Sequence, residues 1–357
     1  MARHLILMDA FKGSISSKDA AEAVASGIKT HDPSAIIDFS PVADGGEGTL
    51  DVYLALGYEL KTAMTMDLAG RSCEVQYAVK DSDAVIEVAR ICGLPMRRVE
   101  DDPIRMNTRG VGRLINQLRD QGVTTIRLAL GGTGTTDGGL GLLAEVGCQL
   151  QDVSGVPISF QTNPLLETQD IHCTPYPVQL EALVDVTAPY WGQDGPAYLF
   201  GPQKGLLPED IVKLDQQLER IGRLLGLEGV AGAGAAGGIG GAVHALGGLI
   251  VPGAETILQH LRVAERIQQA DYVWTGEGRV DRQSQIGKLP GEVARMAKAA
   301  SVPCLILAGI VEEKMPQALD CRSIHANQAI TLDPEQTKIR MQEQAQKWLE
   351  ELSVKQG

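Results

Sequence analysis

An α/β protein, with one domain on a parallel sheet and a smaller mixed domain inserted into it, is the fold class that the sequence predicts. Three observations carry this. Strand-length apolar runs alternate with helix-period stripes toward both ends of the chain. Residues 60–90 break that rhythm with short strands joined by tight turns. The 357 residues are about twice the size of a usual single domain.

Taken in order, residues 4–8 form an apolar strand, with the polar loop Asp9-Ala-Phe-Lys-Gly-Ser at its carboxyl end. Ser16 with Asp19 reads as a capping box in which Asp replaces Glu or Gln. The helix behind it carries Ala21, Val24, Ala25 and Ile28 on one face, Pro33 breaks it, and residues 36–39 supply a second strand. This is a βαβ unit. Segments 60–68, 73–79 and 84–89 read as an antiparallel meander, because Ala69-Gly70-Arg71 and Asp81-Ser-Asp83 are turns. Val111, Leu114, Ile115 and Leu118 mark a helix ended by Gly122, followed by a β-branched strand at 124–130. Residues 150–206 are rich in proline and poor in helical pattern. Ile257, Leu258, Leu261, Ala264 and Ile267 stripe one further helix before strands at 272–275 and 303–307, and residues 334–352 form a charged amphipathic helix. The division this suggests is 1–57, 105–149 and 229–357 for the parallel domain and 58–104 with 150–228 for the smaller one. A ligand is expected in a cleft between two such domains.

Composition excludes several function classes. The net charge of −13 disfavours nucleic acid and anionic membranes as partners, and 4% aromatics disfavours base stacking. Six scattered cysteines without a C-x-x-C pair give no zinc knuckle and no sign of a disulfide framework, which points to a reducing, cytoplasmic setting. Residues 229–254 lack Asp, Glu, Lys and Arg and are long enough to cross a bilayer. Ten glycines, His244 and Pro252 in that stretch make it a buried loop and helix instead.

Glycine is the compositional outlier, 41 residues against about 25 at ordinary usage. Many of these glycines fall in four polar loops, each behind an expected strand: Asp9-Ala-Phe-Lys-Gly-Ser, Ala43-Asp-Gly-Gly-Glu-Gly-Thr, Gly131-Gly-Thr-Gly-Thr-Thr-Asp-Gly-Gly and Thr275-Gly-Glu-Gly-Arg-Val-Asp. The carboxyl ends of parallel strands share one crevice, so the loops are expected to converge there. Glycine lets backbone N–H groups approach an anion. Lys12, Lys204, Arg279 and Lys288 supply cations nearby, and Asp9, Asp44, Glu47, Asp137, Glu277 and Asp281 supply carboxylates. Cations, carboxylates and glycine turns together suit phosphoryl transfer.

Competing motifs fail. Gly287-Lys288 is followed by Leu289, so no P-loop is present, and no G-x-S-x-G occurs. Gly232-x-Gly234-x-x-Gly237 matches a dinucleotide fingerprint with Glu255 beyond it, but residues 225–230 make a poor preceding strand.

Asp9-Ala-Phe-Lys-Gly-Ser-Ile-Ser, Pro41-Val-Ala-Asp-Gly-Gly-Glu-Gly-Thr, Phe200-Gly-Pro-Gln-Lys-Gly, Gly234-Ala-Ala-Gly-Gly and Thr275-Gly-Glu-Gly-Arg-Val-Asp, with Gly287-Lys-x-Pro290 behind, resemble the class I glycerate kinase family. The order and spacing match to about residue 310. The resemblance implies a Rossmann-like domain with a smaller second domain, and ATP-dependent phosphorylation of D-glycerate, with 2-phosphoglycerate preferred over 3-phosphoglycerate. Two motifs depart from the family pattern. Its G-G-S-A-T-x-D-G-G stands here with Thr133 and Gly134, and its D-V-x-N-P stands as Asp185-Val-Thr-Ala188-Pro189.

The expectation is therefore an ATP- and Mg²⁺-dependent kinase of organic-acid catabolism, against a non-catalytic nucleotide sensor or an NAD-dependent hydroxy-acid oxidoreductase. Lys12, Gly13 and Ser14 are assigned to an anion-binding turn, with Gly45-Gly46, Gly237-Gly238 and Lys288 as further phosphate or substrate contacts. Asp185 and Asp281 are the candidates to accept the substrate proton, and Asp44, Glu47 and Asp137 those to hold Mg²⁺. Lys204 and Arg279 are expected to grip the phosphates from opposite domains as the cleft closes.

Overall fold

The computed structural model describes residues 1–282, 284, 288–325 and 329–356. The chain divides into two compact units, 1–44 with 254–357, and 45–253. The insertion is a single continuous stretch and the larger of the two. Segments 45–57, 105–149 and 229–253, expected with the terminal unit, belong to the insertion. The reason is strand pairing. Thr125–Ala129 lies parallel between Asp83–Glu87 and Gln179–Val184, so the meander and the later βα elements share one sheet.

The terminal unit holds a five-stranded parallel sheet in the spatial order Ile36–Phe39, Arg3–Met8, Tyr272–Gly276, Cys304–Ala308, Asp320–Ser323. In chain order within this unit that is 2-1-3-4-5, a doubly wound sheet whose direction of growth reverses between Arg3–Met8 and Tyr272–Gly276. Helix Ser17–His31 begins at Ser16, whose hydroxyl accepts from the Asp19 N–H at 3.1 Å, as the capping motif predicts. It packs on the carboxy-terminal helix Pro334–Gln356, and the two helices cover one face of a core in which Trp274 and Trp348 meet edge to face at 5.8 Å. The single helix expected over 257–267 is two, Gly253–His260 and Val263–Ile267, because Arg262 turns left-handed at φ 53°.

The inserted unit is built on a mixed six-stranded sheet ordered Leu249–Pro252, Gln179–Val184, Thr125–Ala129, Asp83–Glu87, Ser72–Lys80, Glu59–Met66. The last two pairs are antiparallel, as the turns foretell, and the first three are parallel. Helix Arg109–Asp120 buries Val111, Leu114, Ile115 and Leu118, the predicted stripe. The alanine- and glycine-rich stretch forms helix Ala235–Ala245, interrupted by left-handed residues 236–238. Among the described residues no helix is long and apolar enough to cross a membrane.

One expectation about cysteine is corrected. Cys148 and Cys173 form a disulfide. The short strands Gln149–Gln151 and Asp170–His172 pair antiparallel with Gln149 opposite His172, so the next residues outward face each other with 4.6 Å between Cα atoms. That pairing is tertiary and leaves no mark in a spacing of 25 residues.

Candidate active site

The switch point of the doubly wound sheet puts two loops side by side. Asp9 follows Arg3–Met8, Glu277 follows Tyr272–Gly276, and the Asp9 N–H donates to Gly276 O at 2.9 Å. Ligands of such sheets bind at the carboxyl ends of the strands beside the switch. Only glycine fits at 276, because a Cβ there would stand 1.7 Å from Leu307 O of the neighbouring strand. That close packing is what brings the loop behind it against Asp9.

Asp9 is 9% exposed, and its Oδ1 accepts from the Ala10 N–H at 2.7 Å. Burial pushes its carboxyl up to about 8; Asp44 and Glu277 add to the rise, while the Ala10 hydrogen bond and Lys12 oppose it. Glu277 is raised as well, by burial first, then by Asp281 and Asp44, against a hydrogen bond from Ser284 and the charge of Lys288. Its Oε1 is buried with no hydrogen-bond partner among the described residues. Asp281 follows the short strand Arg279–Val280, and its Oδ1 accepts from the Ser284 N–H at 3.2 Å. Four carboxylates and two lysines are thus linked electrostatically through Asp9 and Glu277. Oxygen donors with one unsatisfied atom fit a hard cation. No three metal-binding side chains among the described residues are grouped to hold one unaided.

The turn at Lys12 and Gly13 is exposed and precedes the helix by several residues, with the Ser14 N–H bonded to Phe11 O at 2.8 Å. The Ser14 hydroxyl is engaged with that of Thr337 at 2.8 Å. Arg279 is exposed and pairs with Glu312 at 3.4 Å. Lys288 precedes helix Leu289–Ala299, and its carbonyl accepts from the Glu292 N–H. Gly287, of the Gly287-Lys-x-Pro290 motif, lies outside the described residues.

In the inserted unit the other two loops also meet. Gly45 runs at φ 97°, and a Cβ on Gly131 would lie 3.2 Å from Gly46 Cα. Glu47 is exposed, and Asp185 ends strand Gln179–Val184, half-buried. Asp137 does not have the openness a metal ligand needs. It is fully buried, its Oδ2 accepts from Thr108 N–H, Thr108 O–H and Gly141 N–H at 2.8–3.1 Å, and its Oδ1 accepts from Gly139 N–H at 3.1 Å. Those four bonds make it the staple of its own loop. Lys204 is not a surface grip either. It is 3% exposed, and its Nζ donates to Thr135 O at 2.6 Å. Burial pushes its ammonium down to about 8, with Cys92 and Asp137 opposing.

Gly237 and Gly238 are buried packing positions. A Cβ on Gly237 would stand 2.1 Å from Thr135 O, and the Gly138 N–H donates to Gly237 O at 3.0 Å. The dinucleotide reading loses its context here. Residues 225–234 are turns rather than a strand, and Gly237 serves the contact with Thr135.

Sequence reasoning named Asp9 and Glu277 as loop carboxylates without giving them a role. Their place directly behind the two strands that flank the switch is the signal, but it becomes readable only once strand order is known.

The profile of the glycerate kinase family matches residues 4–355. A glycerate kinase of Halalkalibacterium halodurans is 37% identical over 321 residues, 85% of this chain and 84% of that one. The glycerate 2-kinase of Escherichia coli is 36% identical over 322 residues, with the same coverage. The crystal structure of a Salmonella typhimurium LT2 protein assigned as glycerate kinase 2 superposes with a TM-score of 0.85 at 29% identity, covering 99% of each chain. With the loop motifs and the switch-point carboxylates, these matches establish that the chain is an enzyme, a kinase, and that it belongs to the glycerate kinase family.

Proposed function

We propose that this protein transfers the γ-phosphoryl group of ATP to the 2-hydroxyl of D-glycerate, giving 2-phosphoglycerate and ADP, as a step of organic-acid catabolism in the cytoplasm. The observation that carries the reading is the switch-point group of Asp9, Asp44, Glu277 and Asp281 with Lys12 and Lys288. The name of the Escherichia coli relative supports the 2-position. A bond forms between the substrate oxygen and the γ-phosphorus as the bond to the β–γ bridging oxygen breaks, and the hydroxyl proton passes to a carboxylate.

We assign that proton to Asp281 or Asp185. The first is supported by its company at the switch, the second by its place at a strand's carboxyl end. Mg²⁺, when bound, neutralises charge on the β- and γ-phosphates. Asp44, with Asp9 and Glu277 beside it, has the donors that suit it, and Glu47 is the remaining exposed candidate. We assign Lys12 and Gly13, on their exposed turn, with Lys288 and Arg279, to the anionic groups of the substrates. Gly45 and Gly46 permit close approach of the backbone.

The test is ADP release by purified protein with ATP, Mg²⁺ and D-glycerate, followed by phosphorus NMR of the product. A phosphate on carbon 2 is split by one proton and appears as a doublet. A triplet would move transfer to the 3-hydroxyl, and no ADP across a panel of hydroxy acids would falsify the reading. Replacing the base by Asn lowers kcat by roughly 10²–10⁴-fold. Near-normal kcat in both Asp281→Asn and Asp185→Asn removes both, and recovery by Mn²⁺ moves the affected residue to metal holding. Alkylating cysteines during lysis reads whether the Cys148–Cys173 bridge persists in the compartment proposed.

A further inference from the structure

The loop 131–139 receives donors from four separate segments of the inserted unit. Gly132 O accepts from Leu94 N–H at 2.9 Å, Thr135 O from Lys204 Nζ at 2.6 Å, Thr136 O from Asn163 Nδ2 at 3.1 Å, and Gly138 O from the Tyr190 hydroxyl at 2.6 Å. All three side-chain donors belong to residues at most 3% exposed. The peptides are trans, so holding the carbonyls of Thr135 and Thr136 also sets the N–H directions of Thr136 and Asp137 on the opposite side. The hydroxyl of Thr136 is buried and takes no partner among the described residues, and that of Thr135 is buried beside the Cys92 thiol. The loop's shape is therefore held by its carbonyls and by Asp137.

Lys204 decides what this arrangement is for. Its ammonium is placed on the Thr135 carbonyl, and its own carbonyl is pinned by Arg97 Nη1 at 2.8 Å. A methionine would fill the same space without burying a charge. What lysine adds is a donor aimed at one carbonyl, beside the position where only glycine fits at 237. The loop follows the carboxyl end of the parallel strand Thr125–Ala129, the end at which α/β sheets take ligands.

We infer that Lys204, Asn163 and Tyr190 are positioning residues that hold the loop 131–139 in the form in which it meets an anionic reactant. This rests on the phosphoryl-transfer reading above. It also revises the expectation that Lys204 touches the phosphates, since the residue acts through Thr135.

The experiment compares Lys204→Met, Asn163→Ala and Tyr190→Phe by steady-state kinetics and by hydrogen–deuterium exchange of the peptide over 131–141. Tyr190→Phe, which loses one hydroxyl, guards against simple misfolding. The expected result is a fall in kcat of about 10–100-fold for Lys204→Met, a smaller fall of the same kind for the other two, and KM for ATP little changed. Loop exchange is expected to accelerate about tenfold in each variant while the strand Thr125–Ala129 keeps its protection. A raised KM for ATP confined to Lys204→Met, with unchanged loop exchange, overturns the inference and makes Lys204 a ligand contact. Normal kinetics in all three overturns it as well. Exchange needs no substrate. If the wild type phosphorylates no hydroxy acid, the functional reading fails, and faster loop exchange still supports the positioning role while unchanged exchange removes it.

Discussion

Burial decides the chemistry of single residues here more than charge pairing does. His4 is 2% exposed, stacks on Tyr272 with ring centroids 5.2 Å apart, and accepts from Trp274 Nε1 at 3.0 Å through Nδ1. Burial lowers its pKa to about 4, with Asp271 and Asp32 opposing. A histidine whose folded pKa is depressed contributes stability that is complete above about 6.5 and is lost as pH falls toward 4. His4→Gln keeps an acceptor for Trp274 and removes the titration. Its Tm is expected to fall less steeply than that of the wild type between pH 6.5 and 4, and parallel profiles would show that His4 does not govern this acid limb. Lys204 works with the same sign at higher pH. Its folded value of about 8 lies below the usual 10.5, so its burial penalty is relieved as pH rises through that window. Asp137 and Glu47 mark the limit of reading carboxylates from loops. One is bonded at both oxygens inside the protein, the other is open to solvent, and the same loop chemistry surrounds both in the sequence.

Among the elements, the strand pair Gln149–Gln151 and Asp170–His172 is only three residues long on each side, and the covalent bond lies directly beside it. A bridge across 25 residues removes about 3 kcal/mol of loop entropy from the unfolded chain in the usual polymer estimate. Reduction, or the pair of substitutions Cys148→Ser and Cys173→Ser, is expected to lower the unfolding free energy by that order, read as a lower urea midpoint. An unchanged midpoint would mean that the bridge does not stabilise the native fold. The four free cysteines provide a control, because Cys92, Cys304 and Cys321 are buried and Cys73 is half-buried. The expectation of one helix over 257–267 failed for an elementary reason. The apolar stripe is continuous across Leu261 and Arg262, and periodicity cannot register a single left-handed residue within it.

At the scale of the whole molecule, each unit has its own sheet and its own apolar core. Under the proposed reading, ATP with Mg²⁺ at 100 times its Kd stabilises the native protein by about 2.7 kcal/mol. The expected outcome is a rise in Tm that grows with nucleotide concentration, and reduced hydrogen exchange in the loops behind Arg3–Met8 and Tyr272–Gly276. No shift at saturating nucleotide would remove those loops as the nucleotide site.

The amino-acid sequence by itself determined the α/β class, the βαβ opening, the antiparallel meander, the capped first helix and the kinase family, because each is written in neighbouring residues: apolar period, turn chemistry, a serine three places before an acid, and contiguous loop motifs. It also drew attention to four glycine-rich polar loops, two of which lie side by side at the switch point of the terminal sheet. Tertiary structure alone decided the rest. Which strands lie side by side settled the boundary of the insertion, since residues 83–87 and 125–129 are joined by pairing and not by proximity in the chain. Pairing of Arg3–Met8 with Tyr272–Gly276 made Asp9 and Glu277 neighbours across 268 residues, pairing of Gln149–Gln151 with Asp170–His172 set Cys148 against Cys173, and loop packing turned Lys204 inward onto Thr135. Local pattern reports what a segment prefers; the partner across a sheet or loop depends on packing against chain hundreds of residues away, and that is where the chemistry of this protein is assembled.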